Sequence, residues 1–312
     1  MLRCKTLVLA GAAVASSAAF ALSRCPAAAM NVLSIQSSVV FGHVGNSAAR
    51  LALERLGHEV WPIDTVTLAH HPGYGGWHGR VMTPAELAAL LEGLAECEAF
   101  KRCSAVLSGY LGEASLGAGL LDAVRRVKAA NARALYACDP VMGDSVKGLY
   151  VRPGIPEFFR DHALALADIL LPNAFELGRL AGRDTDNVDT ALAAARSLLE
   201  RGPRLIVVKG LRRGSGKRIR IATLAVARKT AWTVECPAAP SLAHGAGDCF
   251  GALFLGHYLK QRSVRLALEH AVASVHAVMV RTAALGGSEL ALVEAQDALL
   301  APKRLFKAAR IG

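Results

Sequence analysis

The chain has 312 residues, 53% of them hydrophobic and 20% charged, and a formal net charge of +11. That apolar content excludes a largely disordered chain and is ample for a buried core, while the basic balance points to an anionic partner and says nothing about fold. Seven cysteines without a CxxC pair argue against a zinc site and read as free thiols in a reducing compartment.

The first 29 residues differ from the rest of the chain. Arg3 and Lys5 precede an alanine-rich apolar run at 6–22, and Ala27-Ala28-Ala29 stands just before Met30. A basic start, an apolar middle and a small-residue end are the parts of a secretory signal, and the run is too short and too rich in alanine for a transmembrane helix. The other reading, which we prefer, takes Met30 as the true start, because Met30-Asn31-Val32-Leu33-Ser34-Ile35 looks like the opening strand of a cytosolic α/β enzyme. The expectation is therefore residues 1–29 outside the fold, residues 30–312 as one domain, a cytoplasmic location and no membrane partner.

From Asn31 onward, strand-like and helix-like segments alternate, which predicts an α/β fold with a mostly parallel central sheet flanked by helices. A short strand at 32–35 leads to an amphipathic helix at 46–56 that ends at Gly57, and a second strand spans 58–63. Residues 67–82 hold His70, His71, Pro72, Tyr74, Trp77 and His78 among four glycines, too polar for core, and read as a small flap over a site. A helix at 84–97 with Thr83 as its N-cap, a buried strand at 105–108 and a helix at 116–131 come next. Strands at 134–138, 167–171 and 205–208 run into Asp139-Pro140, Pro172-Asn173 and Lys209-Gly210. Helices at 175–181 and 190–201 lie between them, 219–227 and 232–236 pair antiparallel, and the remainder is helical.

Ser37, Asp139, Asn173 and Lys209 each come after the C-terminal end of a strand in this scheme, and ligands of open α/β sheets bind at those ends. Late in the chain, Gly245-Ala246-Gly247-Asp248 feeds directly into an apolar run. A helix begun on such a turn offers unpaired N–H groups and partial positive charge to an anion, and glycine lets the backbone come close. Asp248 is then either a favourable first-turn residue or a base held beside an anion site. Residues 204–229 contain nine Lys/Arg and no acidic residue, which reads as attraction of phosphates or as a solvated basic edge. No basic helix with interleaved aromatics accompanies it, so a nucleic-acid partner is not expected.

Gly245-Ala246-Gly247-Asp248 resembles the GxGD signature of the ribokinase-like superfamily. The opening Ser34-Ile35-Gln36-Ser37 with Val39-Val40-Phe41-Gly42-His43-Val44-Gly45-Asn46 is similar to that of bacterial pyridoxal kinases. Three further stretches resemble the same family in order: Leu107-Ser108-Gly109-Tyr110-Leu111-Gly112, Cys138-Asp139-Pro140-Val141-Met142-Gly143 and Pro172-Asn173-Ala174-Phe175-Glu176-Leu177.

The resemblance implies transfer of the ATP γ-phosphate to the 5′-hydroxyl of pyridoxal in vitamin B6 salvage, with ATP as phosphoryl donor, Mg²⁺ as cofactor and a homodimer. It implies Asp248 as base and the backbone of Gly245, Ala246 and Gly247 as anion hole. Asp139 and Glu176 would hold Mg²⁺, and Asn173, Glu176 and Lys209 would serve the nucleotide. Asp139, Asn173 and Glu176 are also plausible helix caps. Around the substrate it implies Ser37 hydrogen-bonding the pyridine ring, Tyr74 packing on it, Val40 and Tyr110 as apolar walls, and His43 as a ligand or a structural residue. The flap reads His71-Pro72-Gly73-Tyr74 where the family often has a threonine and a polar residue before the tyrosine, and Pro72 offers neither N–H nor hydroxyl. A hydroxymethylpyrimidine or other small-alcohol kinase, and a B6 carrier with slow turnover, are the alternatives.

Overall fold

Residues 205–208 are Leu-Ile-Val-Val, and all four are buried. An unbroken apolar run suits a strand covered on both faces, and its side chains alternate between layers: Ile206 and Val208 join the core on one face, Leu205 and Val207 the core on the other. The computed structural model of the chain, which describes residues 30–241 and 243–312, is organised around this two-sided arrangement. The expectations for residues 1–29 lie outside the described residues.

The strands are β1 (Asn31–Phe41), β2 (Glu59–His70), β3 (Gly79–Val81), β4 (Cys103–Ser108), β5 (Leu135–Cys138), β6 (Gly143–Asp144), β7 (Gly148–Leu149), β8 (Ile169–Leu170), β9 (Leu205–Arg213), β10 (Arg220–Ala227), β11 (Thr230–Pro237) and β12 (Ala309–Arg310). Ten of them form one sheet in the order β12-β11-β10-β9-β8-β5-β4-β1-β2-β3. The run β2-β1-β4-β5-β8-β9 is parallel, β3, β10, β11 and β12 add antiparallel, and β6 and β7 form a separate hairpin. The chain leaves β1 toward β2 on one side and resumes at β4 on the other. That reversal opens a crevice at the C-terminal ends of the strands, where α/β sheets bind ligands.

Helices Pro84–Glu96, Gly117–Ala130 and Val188–Leu199 cover one face; Asn46–Arg55, Ala246–Gln261 and Val264–Ala284 cover the other. Thr83 caps the first of these in a capping box with Glu86, as the sequence leads one to expect. Helix Ala246–Gln261 packs against both of its neighbours, so Phe250, Leu253, Phe254 and Leu255 are all buried and the helix is apolar around most of its circumference. Among the described residues, no helix is long and apolar enough to cross a membrane.

Three expectations need correction. The sequence pattern ends the second strand at Ile63 and makes 67–82 a loop, but β2 continues to His70 and pairs with β3. The flap is thus an edge hairpin, held by a small satellite core of Val39, Val44, Val66 and Leu68. The C-terminal part is not wholly helical, because β12 extends the sheet beyond β11. Ser37 and Lys209 do not follow strand ends, because β1 continues to Phe41 and β9 to Arg213; within the basic stretch 204–229, Arg213 and Arg220 both reach Glu235, and Arg228 reaches Glu200.

Helix Ala246–Gln261 also carries a buried imidazole cluster. His257 stacks on His270 with ring centres 4.8 Å apart, and His58 donates to the Gly256 carbonyl at 3.0 Å. His257 Nε2, His270 Nδ1 and His58 Nδ1 have no hydrogen-bond partner. Burial, together with the neighbouring His270, pushes His257 down to about 3 from 6.5. An unfolded chain therefore takes up a proton that the folded one refuses between those values. Stability is complete above the unfolded value and declines as pH falls, by up to about 1.4 kcal/mol per pH unit. Carboxylates elsewhere titrate in the opposite sense, so the difference between two proteins is the measure to use. The melting-temperature advantage of wild type over His257→Gln is expected to narrow from about pH 8 to about pH 5; a constant difference would contradict this account.

Candidate active site

Gly245 has φ of +88°, and a Cβ on it would lie 1.8 Å from the His43 carbonyl oxygen, so only glycine fits. Helix Ala246–Gln261 begins at the next residue, and Cys249 N–H is the first to reach back, to the Gly245 carbonyl at 2.9 Å. The N–H groups of Ala246, Gly247 and Asp248 are those that a helix terminus leaves without an internal partner. Asp248 Oδ2 accepts the Gly45 N–H at 2.8 Å, while Oδ1 has no partner among the described residues. Burial raises the Asp248 pKa above the ordinary carboxylate value, and the Gly45 bond and Lys209 restrain the rise. One oxygen is anchored and the other lies beside the N–H groups of the helix terminus.

Asp139 stands directly after β5, and Lys209 lies within β9. They meet as an ion pair, Nζ to Oδ2 at 2.6 Å, with both side chains largely buried. Burial opposes the Lys209 charge, but Asp139 and Glu176 hold its pKa up. Burial pushes Asp139 and Glu176 up, and Lys209 pulls both back. The ammonium also stands beside the glycine-rich turn, because a Cβ on Gly247 would be 3.6 Å from Lys209 Nζ. Asn173 and Glu176 form a capping box at the start of helix Ala174–Ala181, and the Asn173 amide also donates to the Gly143 carbonyl at 2.8 Å. Of the two readings of Asn173, the structure displays the cap, with both ends of its amide engaged.

A cavity of about 1270 Å³ opens along this edge, its wall running through Ser37, Tyr110, Asp139, Asn173, Glu176 and Lys209 to the turn Gly245–Asp248. Ser37 lies at a register shift between β1 and β2, a bulge that re-aims side chains beside many sites. Beneath it Ser34, Gln36 and Asn46 form a buried hydrogen-bonded set, which fixes this part of β1. Three expected residues are not on the wall. Val40 is 82% exposed and faces away from a packing role. Tyr74 turns its hydroxyl to Ser288 and Glu289, and His43 contributes its main-chain N–H to Glu289.

The structure adds residues that sequence reasoning missed. His244 joins the wall and stacks on His71 of the flap, with ring centres 3.8 Å apart. His276, with Val272, Val275 and Met279 of helix Val264–Ala284, lines an apolar part of the cavity together with Ile221 and Pro237 of the antiparallel strands and Ile219 just before them. The pattern of that helix reads only as core, since its cavity-facing side is as apolar as its buried one.

A helix terminus that gathers negative charge and presents a carboxylate suits delivery of a phosphoryl group to an alcohol, so the fold and site define a small-molecule kinase. The sequence matches the phosphomethylpyrimidine kinase family over residues 96–292. It is similar to pyridoxal kinase PdxY of Rubrobacter xylanophilus, with 48% identity over 284 residues that cover 91% of this chain and 98% of the relative. The PdxY of Granulibacter bethesdensis is 44% identical over 283 residues, covering 89% and 99%. Among solved structures, pyridoxal kinase from Leishmania donovani in complex with ADP and pyridoxamine superposes with a TM-score of 0.84 at 27% identity, covering 90% of this chain and 99% of that one. The chain belongs to the phosphomethylpyrimidine kinase family and, within it, to the pyridoxal kinases.

Proposed function

We propose that the protein transfers the γ-phosphoryl group of ATP to the 5′-hydroxyl of pyridoxal, giving pyridoxal 5′-phosphate. The observation that carries this reading is Asp248, anchored through one oxygen at the helix N-terminus with the other oxygen free. That oxygen takes the proton of the 5′-hydroxyl, and its raised pKa makes it a better acceptor than an ordinary aspartate. The N–H groups of Ala246, Gly247 and Asp248 then neutralise charge on the phosphoryl oxygens. Lys209, beside the turn, adds a fixed cation, and Asp139 and Glu176 keep it charged. Ser37 and Tyr110 line the substrate part of the cavity, and the slot beside His276 takes the nucleobase.

Asp139 Oδ1 is buried without a hydrogen-bond partner, an arrangement that fits a divalent cation. Among the described residues, no cluster of three His, Cys, Asp or Glu is spaced to hold a metal, which suits Mg²⁺ bound by one or two carboxylates with phosphates and water completing its shell. Asp139 would hold it, with Glu176 behind, and when bound it supplies charge neutralisation at the phosphates.

The five cysteines of the described region are free thiols, which fits a cytoplasmic enzyme. Val40 and Phe41 at the end of β1 are 82% and 60% exposed. We assign this apolar edge to the interface of a homodimer. One experiment covers the reading: purified protein, sized by sedimentation, is given Mg²⁺-ATP and in turn pyridoxal, pyridoxine, pyridoxamine and hydroxymethylpyrimidine. A dimer that forms pyridoxal 5′-phosphate, monitored by absorbance, is expected. Turnover of the pyrimidine alone would make it a hydroxymethylpyrimidine kinase, and tight pyridoxal binding without ATP consumption would make it a carrier.

A further inference from the structure

Tyr74 stands at the tip of the flap, yet its polar contacts lie outside the cavity. Its hydroxyl donates to Glu289 Oε1 at 2.8 Å and lies 2.6 Å from Ser288 Oγ. Its ring packs edge-on against Phe41 and His70, with centres 5.9 and 5.8 Å away. The second oxygen of the same carboxylate, Glu289 Oε2, accepts the His43 N–H at 3.0 Å. Gly42 makes room for it: φ there is +101°, and a Cβ would lie 2.0 Å from Glu289 Oε2. One carboxylate thus holds both the flap and the segment between β1 and the first helix.

That segment reaches the reacting centre within two residues. Gly45 N–H is the donor that anchors Asp248 Oδ2 at 2.8 Å, and the His43 carbonyl is the atom against which Gly245 is packed. The flap meets the turn from its other side as well, through the His71–His244 stack, since His244 directly precedes Gly245. Gly73 N–H donates to His71 Nδ1 at 3.0 Å and fixes that ring. Two fastenings therefore join the flap to the glycine-rich turn, and one of them passes through Glu289.

We infer that Glu289 is a positioning residue that ties the closed position of the flap to the orientation of Asp248, so that covering the substrate and aiming the base are a single event. The inference rests on Asp248 as the base. Glu289 touches no reacting atom; it acts through Tyr74 on one side and through His43 and Gly45 on the other. Its contacts specify what each variant should do. Tyr74→Phe removes only the flap's own hydroxyl bonds, to Glu289 and Ser288. Glu289→Ala removes both bonds. Glu289→Gln can keep both, because the amide oxygen accepts the His43 N–H and the amide NH₂ donates to the Tyr74 oxygen, whose proton then turns to Ser288.

Steady-state kinetics of the three variants, alongside wild type and Asp248→Asn, separate these effects. Tyr74→Phe is expected to raise KM for pyridoxal by about tenfold with kcat within about twofold, the size of one charge-assisted hydrogen bond. Glu289→Ala should raise that KM similarly and also lower kcat by about tenfold or more, through misplacement of the base. Glu289→Gln should return both constants to within about threefold of wild type, and KM for ATP should stay level in all three. A Glu289→Ala enzyme with wild-type constants overturns the inference, as does a Glu289→Gln enzyme as impaired as Glu289→Ala. A parallel rise in KM for ATP would mark general damage and equally overturns it. Wild-type protein without turnover overturns the kinase reading and this inference together, whereas an active wild type with an indifferent Glu289→Ala overturns this one alone.

Discussion

Asp248→Asn is expected to bind ATP within a few-fold of wild type and to lose turnover by about two orders of magnitude or more. The substitution keeps shape and size, and the amide oxygen of asparagine can still accept the Gly45 N–H that Asp248 accepts at 2.8 Å. The helix terminus and its N–H groups therefore stay where they are, and with them the nucleotide site. What disappears is a group able to take a proton. Burial raises the pKa of the wild-type carboxylate while the Gly45 bond and Lys209 restrain the rise, which makes it a stronger proton acceptor than an ordinary aspartate. Nucleotide binding can be titrated and turnover measured through pyridoxal 5′-phosphate. An Asp248→Asn protein with turnover near wild type would leave Asp248 as a first-turn helix residue only.

Gly245→Ala should cost about as much in turnover by a different route, and should cost stability as well. Alanine at φ +88° is strained, by roughly 1–3 kcal/mol. Its methyl would also lie 1.8 Å from the His43 carbonyl oxygen, a backbone atom that cannot rotate away. Either the turn or segment 42–45 must move, and both carry the site: the first holds the N–H donors, the second anchors Asp248. Loss of one such donor typically lowers turnover by ~10²–10³-fold. Gly247→Ala is the control. Its added methyl meets only Lys209 Nζ, at 3.6 Å, an ordinary van der Waals contact. Turnover and melting temperature measured together should show Gly245→Ala low in both and Gly247→Ala well above it in both. Equal behaviour of the two would mean that the turn's conformation does not set the site.

The framework was legible because its signals are local. Apolar runs at 135–138, 169–170 and 205–208 mark strands within a few residues, although β9 continues past Lys209 to Arg213, and Asn173 with Glu176 spells a capping box in four. The pairing of Asp139 with Lys209 joins positions 70 apart, and nothing in either segment announces it. The same holds for Tyr74 and Glu289, 215 apart. The family resemblance makes Tyr74 a substrate contact, but which side of a hairpin it occupies depends on a partner from the other end of the chain. The continuation of β2 is a subtler case. Val66 and Leu68 are buried and alternate with Thr67, yet the histidines and glycines just beyond them mask so short a period. Strand β12 has two residues and offers no period at all.

The flap also carries a half-exposed indole, Trp77, on the wall of the cavity. The other two tryptophans, Trp61 and Trp232, lie within β2 and β11, in the body of the sheet. A flap that closes over a ligand is expected to dry Trp77 and to leave the other two indoles unchanged, and indole emission moves to shorter wavelengths as water is removed. Occupancy of the substrate site can therefore be read from the protein's own light, with no nucleotide present and no chemistry under way.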